Sequence, residues 1–218
     1  MKLAKNKQLF KKKLQNFYIR LKRDSCCNDN IFIMKKLLLI FTFIFAYMTN
    51  ALAQNNSKPD LDNLLYIDLS TGRVVIEMLP KVAPQHVERI KTLARQKFYD
   101  GIVFHRVIDG FMAQTGDPTG TGMGGSKLPD LRAEFSDEPH IRGAVSMARA
   151  ASPNSANSQF FIVTKDSRFL DGQYTVWGRV IKGMELVDKI KKGEGRDGKV
   201  NNPDKMLKVR VASDVDGA

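Results

Sequence analysis

The pattern of apolar positions divides most of the chain into short extended runs. Leu64 to Leu69 and Arg73 to Leu79 are β-rich, and Ser70-Thr71-Gly72 between them supplies a glycine able to take a positive φ, so the pair reads as an antiparallel hairpin. Val103 to Val107, Phe111 to Thr115, Ala144 to Ala148, Phe160 to Val163, Thr175 to Val180 and Met206 to Ala212 are further strand candidates, divided by Gly, Pro and Asn clusters. Two segments carry helical spacing instead. From Pro84 to Arg95, Val87, Ile90, Leu93 and Ala94 fall on one face, with proline in the first turn and basic residues toward the end. From Met184 to Lys191, Leu186, Val187 and Ile190 share a face.

About eight short strands and two helices, with no βαβ alternation, predict a mainly β fold: a closed eight-stranded antiparallel β-barrel capped by two α-helices. No internal repeat is present. The domain is expected over residues 64–212, preceded by a polar, Pro59-containing linker at 54–63 and followed by a frayed polar tail at 213–218.

Composition changes this picture only at the N-terminus. The chain of 218 residues, 43% apolar, has the ordinary make-up of one globular domain. Its net charge of +12 resembles a nucleic-acid signature, but 11 of the 35 Lys and Arg precede residue 54, opposed only by Asp24 and Asp29. From Gln54 onward 24 basic residues face 21 acidic ones, which leaves +3 and argues against phosphate-backbone binding.

Met34-Lys35-Lys36, the uncharged run Leu37 to Met48 and Ala51-Leu52-Ala53 form a basic n-region, an apolar h-region and an A-x-A site, so residues 34–53 read as a signal peptide cleaved after Ala53. A retained membrane anchor is the alternative, although the run is shorter than the ~18 residues that span a bilayer. Residues 1–33 read as a non-native or disordered extension, with Met34 as the true start and a long cationic n-region or cytoplasmic tail as the alternative. The expected location is therefore exported, periplasmic or secreted, or else membrane-anchored facing the periplasm. Contact with the membrane is expected only through this segment. No cysteine lies beyond residue 53, so the domain carries neither disulfide nor thiol chemistry.

Several catalytic patterns fail on their surroundings. Gly120-Thr121-Gly122-Met123-Gly124-Gly125 matches G-x-G-x-x-G, but Ser126-Lys127-Leu128-Pro129 follows where a phosphate-binding helix would have to start, so the segment reads as the flexible rim of a binding site. His86, His105 and His140 lack metal-ligand spacing, and Ser146, Ser155 and Ser158 lack a nucleophile elbow. What remains is Phe104 to Asp117, where Arg106 stands among apolar residues and turn glycines with Gln114 eight positions on, together with Ser158 to Val163. A guanidinium in an apolar wall is costly without a purpose. Of the adjacent rings Phe160 and Phe161, strand alternation sends one to the core and the other outward.

Phe104-His105-Arg106 through Phe111-Met112-Ala113-Gln114-Thr115-Gly116-Asp117 and Ser158-Gln159-Phe160-Phe161-Ile162 resemble signature segments of the cyclophilin family of peptidyl-prolyl cis-trans isomerases. Ser146 to Ala150, Phe169 to Gly172 and Trp177 to Val180 continue the resemblance in order, over about residues 64 to 212. The resemblance implies an isomerase of X-Pro bonds in exported proteins, assisting their folding, or else a non-catalytic peptide-binding module using the same groove. It implies Arg106 and Gln114 as catalytic residues, and a substrate groove of Phe111, Met112, Ala148, Arg149, Ala150, Gln159, Phe161, Phe169, Leu170 and Tyr174. Ala148-Arg149-Ala150 would act through main-chain hydrogen bonds to an extended peptide.

Phe169 stands where cyclosporin-sensitive members carry tryptophan, Tyr174 where many have histidine, and Arg149 where asparagine is frequent. Losing the indole N–H implies weak cyclosporin binding. Trp177 is expected in the core. The expected partners are proline-containing unfolded or partly folded polypeptides, with no nucleic acid, and the protein is expected to be a monomer. No metal and no cofactor is expected, because the barrier of about 18–20 kcal/mol is to rotation and no covalent bond changes.

Overall fold

The computed structural model describes Ile40 and residues 60–216. The expected N-terminal extension, the expected signal segment apart from Ile40, and the expected linker up to residue 59 lie outside the described residues. The fold described belongs to the unit Pro59–Ala218. Among the described residues, no helix is long and apolar enough to cross a membrane.

Eight strands form one antiparallel sheet. β1 (Leu64–Leu69) and β2 (Gly72–Met78) are the expected hairpin, with Leu69 opposite Gly72. Then come β3 (Arg106–Ile108), β4 (Met112–Thr115), β5 (Ala144–Met147), β6 (Phe160–Val163), β7 (Val176–Lys182) and β8 (Lys208–Val211). Their order across the sheet is β3-β4-β6-β5-β7-β2-β1-β8.

The expected closed barrel is not formed. The sheet is an open half-barrel whose edge strands, β3 and β8, share no ladder. Beside them, irregular chain is joined by the isolated bridges Val103 to Lys205 and Arg106 to Lys199, and by Gly101 N–H donating to Met206 O at 2.7 Å and Phe104 N–H to Asp204 O at 2.8 Å. The sequence Asn201-Asn202-Pro203 explains the break. Asn202 sits at φ 51°, and Pro203 has no N–H to donate, so the chain leading into β8 cannot continue a ladder.

Helix α1 (Pro84–Arg95) buries Val87, Ile90, Leu93 and Ala94 as its spacing predicts, along with His86, Arg89 and Lys91. Ala83 precedes it and has no side chain able to cap. Glu134, distant in sequence, takes that role: its Oε2 accepts from Gln85 N–H and His86 N–H, each at 3.1 Å, and meets His86 Nδ1 at 2.7 Å. A carboxylate there satisfies orphaned donors and matches the positive end of the helix dipole. Helix α2 is regular over Met184–Val187 only. Beyond it, the N–H groups of Lys189 and Ile190 bond the carbonyls of Leu186 and Val187, three residues back, so the expected helix to Lys191 tightens into 3-10 turns.

Order extends past both expected domain limits. Leu61–Asn63, read as linker, is a 3-10 turn capped by Asp60, and Asp62 pairs with Lys91 at 2.5 Å and Arg95 at 3.0 Å on α1. Ser213–Asp216, read as frayed tail, forms a turn of helix, α3, with Asp214 3.2 Å from Arg95 Nε. Arg95 thus ties both ends of the fold to one helix.

The main core lies between the sheet and α1. Trp177 is fully buried, as expected, and Phe160 meets it edge to face at 5.5 Å, while Tyr99 also meets Phe160 edge to face at 5.6 Å. Phe160→Ala is expected to cost about 3–5 kcal/mol of stability, read from urea unfolding followed by the fluorescence of Trp177, the chain's single tryptophan. A loss below about 1 kcal/mol, the level of an ordinary substitution, would contradict this packing.

Candidate active site

Antiparallel register assembles the site. Arg106 on β3 stands opposite Gln114 on β4, Gln114 opposite Phe161 on β6, and Phe161 opposite Ser146 on β5. Side chains alternate along a strand, so these four residues form one lateral row on the face of the sheet turned away from the main core. The next row on that face holds Ile108, Met112 and Val163. Val107, Ala113, Ile162 and Val145 take the opposite face and join the main core. Phe160 and Phe161 divide as the alternation predicts, each in a different apolar cluster.

The polar half of the site is a chain of hydrogen bonds. Arg106 Nη1 donates to Gln114 Oε1 at 3.1 Å, and Arg106 Nε donates to the Asp197 carbonyl at 2.8 Å. Gln114 Nε2 donates to Gln159 Oε1 at 2.9 Å, and Gln159 Nε2 donates to the carbonyls of Gly122 and Gly124 at 3.0 and 2.8 Å. The glycine-rich rim is therefore fastened to the site. Asp117 fastens it again, accepting from Thr119 N–H at 2.7 Å and Gly122 N–H at 2.6 Å. Burial would raise the Asp117 carboxyl, but donors from Thr119, Gly124 and Gly122 outweigh it and lower the carboxyl to about 2. No helix follows Gly125, so this loop lacks the phosphate cradle of a dinucleotide site.

The apolar half is a second cluster separate from the core. Met112, Phe161 and Leu170 are buried in it, with Phe111, Ala148 and Tyr174 partly exposed around them. Tyr174 meets Phe161 edge to face at 5.7 Å, and Phe169, 66% exposed, lies tilted against Phe111 at 5.5 Å. The cluster therefore has a buried floor of Met112, Phe161 and Leu170 and a more exposed aromatic rim, on the same sheet face as Arg106.

The segment Ala148-Arg149-Ala150 departs from expectation in two ways. Ala148 N–H already donates to Gln159 O at 2.9 Å and Ala150 N–H to Ser155 Oγ at 3.0 Å. Only Arg149 N–H keeps no partner among the described residues, so it is the donor available to a peptide. The Arg149 side chain also has contacts of its own: its guanidinium lies 4.6 Å over the Tyr174 ring, with Nη1 donating to Ala150 O at 2.9 Å and Nη2 to Gln173 O at 3.1 Å. That links the Ala148–Ala150 segment to Gln173 and Tyr174.

Sequence reasoning missed the support beneath the hollow. His140 is buried, stacks on Phe161 at 6.3 Å, and meets Asp171 Oδ1 through Nδ1 at 3.0 Å and Ser146 Oγ through Nε2 at 3.1 Å. This Ser-His-Asp set has the order of a hydrolytic triad without its access: Ser146 is fully buried and also donates to Thr175 O at 2.9 Å. No local spacing announces it, because its members come from separate segments. Among the described residues no group of three or more His, Cys, Asp or Glu could hold a metal ion.

A guanidinium with amide partners on the same sheet face as an apolar cluster suits recognition of a neutral ring and a partly rotated amide. A sequence profile for "Cyclophilin type peptidyl-prolyl cis-trans isomerase/CLD" matches residues 64–211. A probable peptidyl-prolyl cis-trans isomerase of Brucella suis is 50% identical over 183 residues, covering 78% of this chain and 93% of that protein. An isomerase of Schizosaccharomyces pombe is 38% identical over 149 residues, covering 66% and 93%. A cyclophilin from Hirschia baltica superposes with TM-score 0.65 at 31% identity over 72% of this chain and 76% of its own. A cyclophilin-type isomerase of Cryptosporidium parvum, crystallised in the presence of the dipeptide Ala-Pro, gives TM-score 0.63 at 27% identity over 68% and 98%. The fold and site thus define a peptidyl-prolyl cis-trans isomerase, and the chain belongs to the cyclophilin family.

The three histidines give the protein a pH signature. Burial holds His86, His105 and His140 below the ordinary 6.5, against the raising influence of Glu134, Asp117 and Asp171 respectively. Below about 6.5 the unfolded chain then binds more protons than the folded one, so stability is full above that pH and falls as pH drops. The urea midpoint is expected to be level from about pH 8 to 7 and to decline toward pH 5. Equal midpoints at both ends would contradict the burial of neutral imidazoles. Asp117 and Asp171, each lowered to about 2, titrate below this window.

Proposed function

We propose that the protein accelerates X-Pro rotation through Arg106, with Gln114 as its partner and Phe111, Met112, Phe161 and Leu170 as the seat of the proline ring. The observation that carries this reading is the Arg106–Gln114 bond of 3.1 Å on the same sheet face as the Met112, Phe161 and Leu170 cluster. As the C–N bond twists, amide resonance is lost and the prolyl nitrogen gains a lone pair. A guanidinium beside that nitrogen favours the twisted state over both planar ones, which is differential transition-state binding.

Magnitudes decide how much Arg106 supplies. Uncatalysed isomerisation takes about 10–100 s, so reaching milliseconds needs on the order of five decades, or about 7 kcal/mol. One preorganised donor is worth about 3–4 kcal/mol. The remainder falls to gripping the ring while the flanking chain turns, with Arg149 N–H and Gln159 aligning the peptide, Ala148, Ala150 and Tyr174 shaping the groove, and Phe169 covering the rim. Phe169 lacks an N–H donor, which supports weak affinity for cyclosporin.

Arg106→Ala is expected to lower kcat/KM by roughly 10²–10³-fold in a protease-coupled assay on a short X-Pro peptide, with the urea midpoint essentially unchanged because the side chain is only partly buried. A near-normal rate would overturn the assignment.

Clients and location extend the same reading. The basic, apolar and A-x-A succession over residues 34–53 supports export, with the monomeric domain assisting proline-limited folding outside the cytoplasm. N-terminal sequencing of the natural protein is expected to begin at Gln54; a mature chain starting at Met1 or Met34 would remove the cleaved-signal reading.

A further inference from the structure

The guanidinium has a second support, and it comes from outside the sheet ladder. β3 is the edge strand of the sheet, yet residues 193–200 run along its free side. Gly193 N–H donates to Val107 O at 2.9 Å, Val107 N–H to Gly198 O at 2.8 Å, and Val200 N–H to His105 O at 3.1 Å. Glu194 N–H donates to Lys199 O at 3.0 Å and closes the segment on itself. The segment brings the Asp197 carbonyl to 2.8 Å from Arg106 Nε.

Two glycines allow this approach. Gly198 takes φ 69°, and a Cβ there would overlap Ile108 Cγ1 and stand 3.0 Å from Val107 O. A Cβ on Gly193 would overlap the Gly198 carbonyl. A larger residue at Gly198 would press the segment away from β3, and one at Gly193 would force apart the segment's own backbone.

We propose that the Gly193–Val200 segment is a positioning element for the reaction, holding the Arg106 guanidinium in its working orientation through the Asp197 carbonyl, with Gly193 and Gly198 as the residues that make this possible. The inference rests on the role given to Arg106. A single bond at Nη1 fixes one corner of a planar group and leaves it free to swing about the Cδ–Nε bond. A second bond at Nε, from the opposite side of β3, fixes the plane. Gln114 reaches in from β4 and Asp197 from the edge, so Arg106 is clamped between two neighbours. Nη2 is left without a partner among the described residues. Orientation of this kind acts on the rate of the bound complex more than on peptide affinity.

The test is a comparison of Gly193→Ala and Gly198→Ala in peptide kinetics. Each is expected to lower kcat by about tenfold or more while KM stays within about twofold, and to cause no further loss when placed in Arg106→Ala. Arg196→Ala, on the same segment but away from its anchors, is expected to keep full kcat. In the unsubstituted protein the Arg106 Nε–H, observed by nitrogen-edited NMR, should exchange with solvent about tenfold more slowly than an unbonded arginine Nε–H. An equal loss in the Arg106→Ala background, a change confined to KM, or an unprotected Nε–H would each overturn the proposal. If the glycine variants fail to fold, the exchange measurement on the natural sequence decides it. A normal rate for Arg106→Ala alone would instead refute the catalytic reading of that residue, so the two failures are distinct.

Discussion

The register between β3, β4, β6 and β5 is the constraint on which the site depends. It sets Arg106, Gln114, Phe161 and Ser146 in one row and their neighbours Val107, Ala113, Ile162 and Val145 in the other. A slip of one residue would send the guanidinium into the core and bring apolar side chains out. The turn Asp109-Gly110 holds the β3–β4 register, with Gly110 at φ 65° and Phe111 N–H donating to Ile108 O at 3.1 Å. Burial of the inner row then fixes the outer one, because the two cannot exchange faces independently.

Polar and apolar halves meet on β4. Gln114 links Arg106 to Gln159 and through it to the glycine-rich rim, while Met112, two residues earlier on the same face, belongs to the hollow. A rotation needs no nucleophile, metal or redox partner, so on the proposed reading the chemistry reduces to holding a ring still and a charge in place. Among the described residues the set that mimics covalent machinery is Ser146, His140 and Asp171: Ser146 and His140 are buried, His140 stacks on Phe161, and Asp171 is only partly buried. Positioning recurs elsewhere in the fold: Glu134 caps α1 from a distant loop, and Asp197 reaches Arg106 from another.

Much of this architecture was legible in local pattern. The hairpin of β1 and β2, the burial face of α1, the division of Phe160 from Phe161 and the burial of Trp177 all follow from periodicity and turn chemistry, which act over a few residues. Closure of the barrel is not legible in a strand count, which does not reveal that Asn202 and Pro203 interrupt the segment lying along β3 and the residues before it. The order at the two ends of the described domain is not legible locally, because short polar segments gain order only from distant partners, here Lys91 and Arg95.

By itself the sequence determined which residues could form strands, which faces would be apolar, and which residue types were available for a rotation reaction. The tertiary structure alone decided that the Arg149 side chain reaches Gln173, that Arg149 N–H is the free donor of its segment, and that a carbonyl of Asp197 accepts from Arg106. The reason is physical. Periodicity and propensity are properties of neighbouring residues, whereas a backbone carbonyl is present at every position and acquires a role only when folding brings it within hydrogen-bond distance of a group far along the chain.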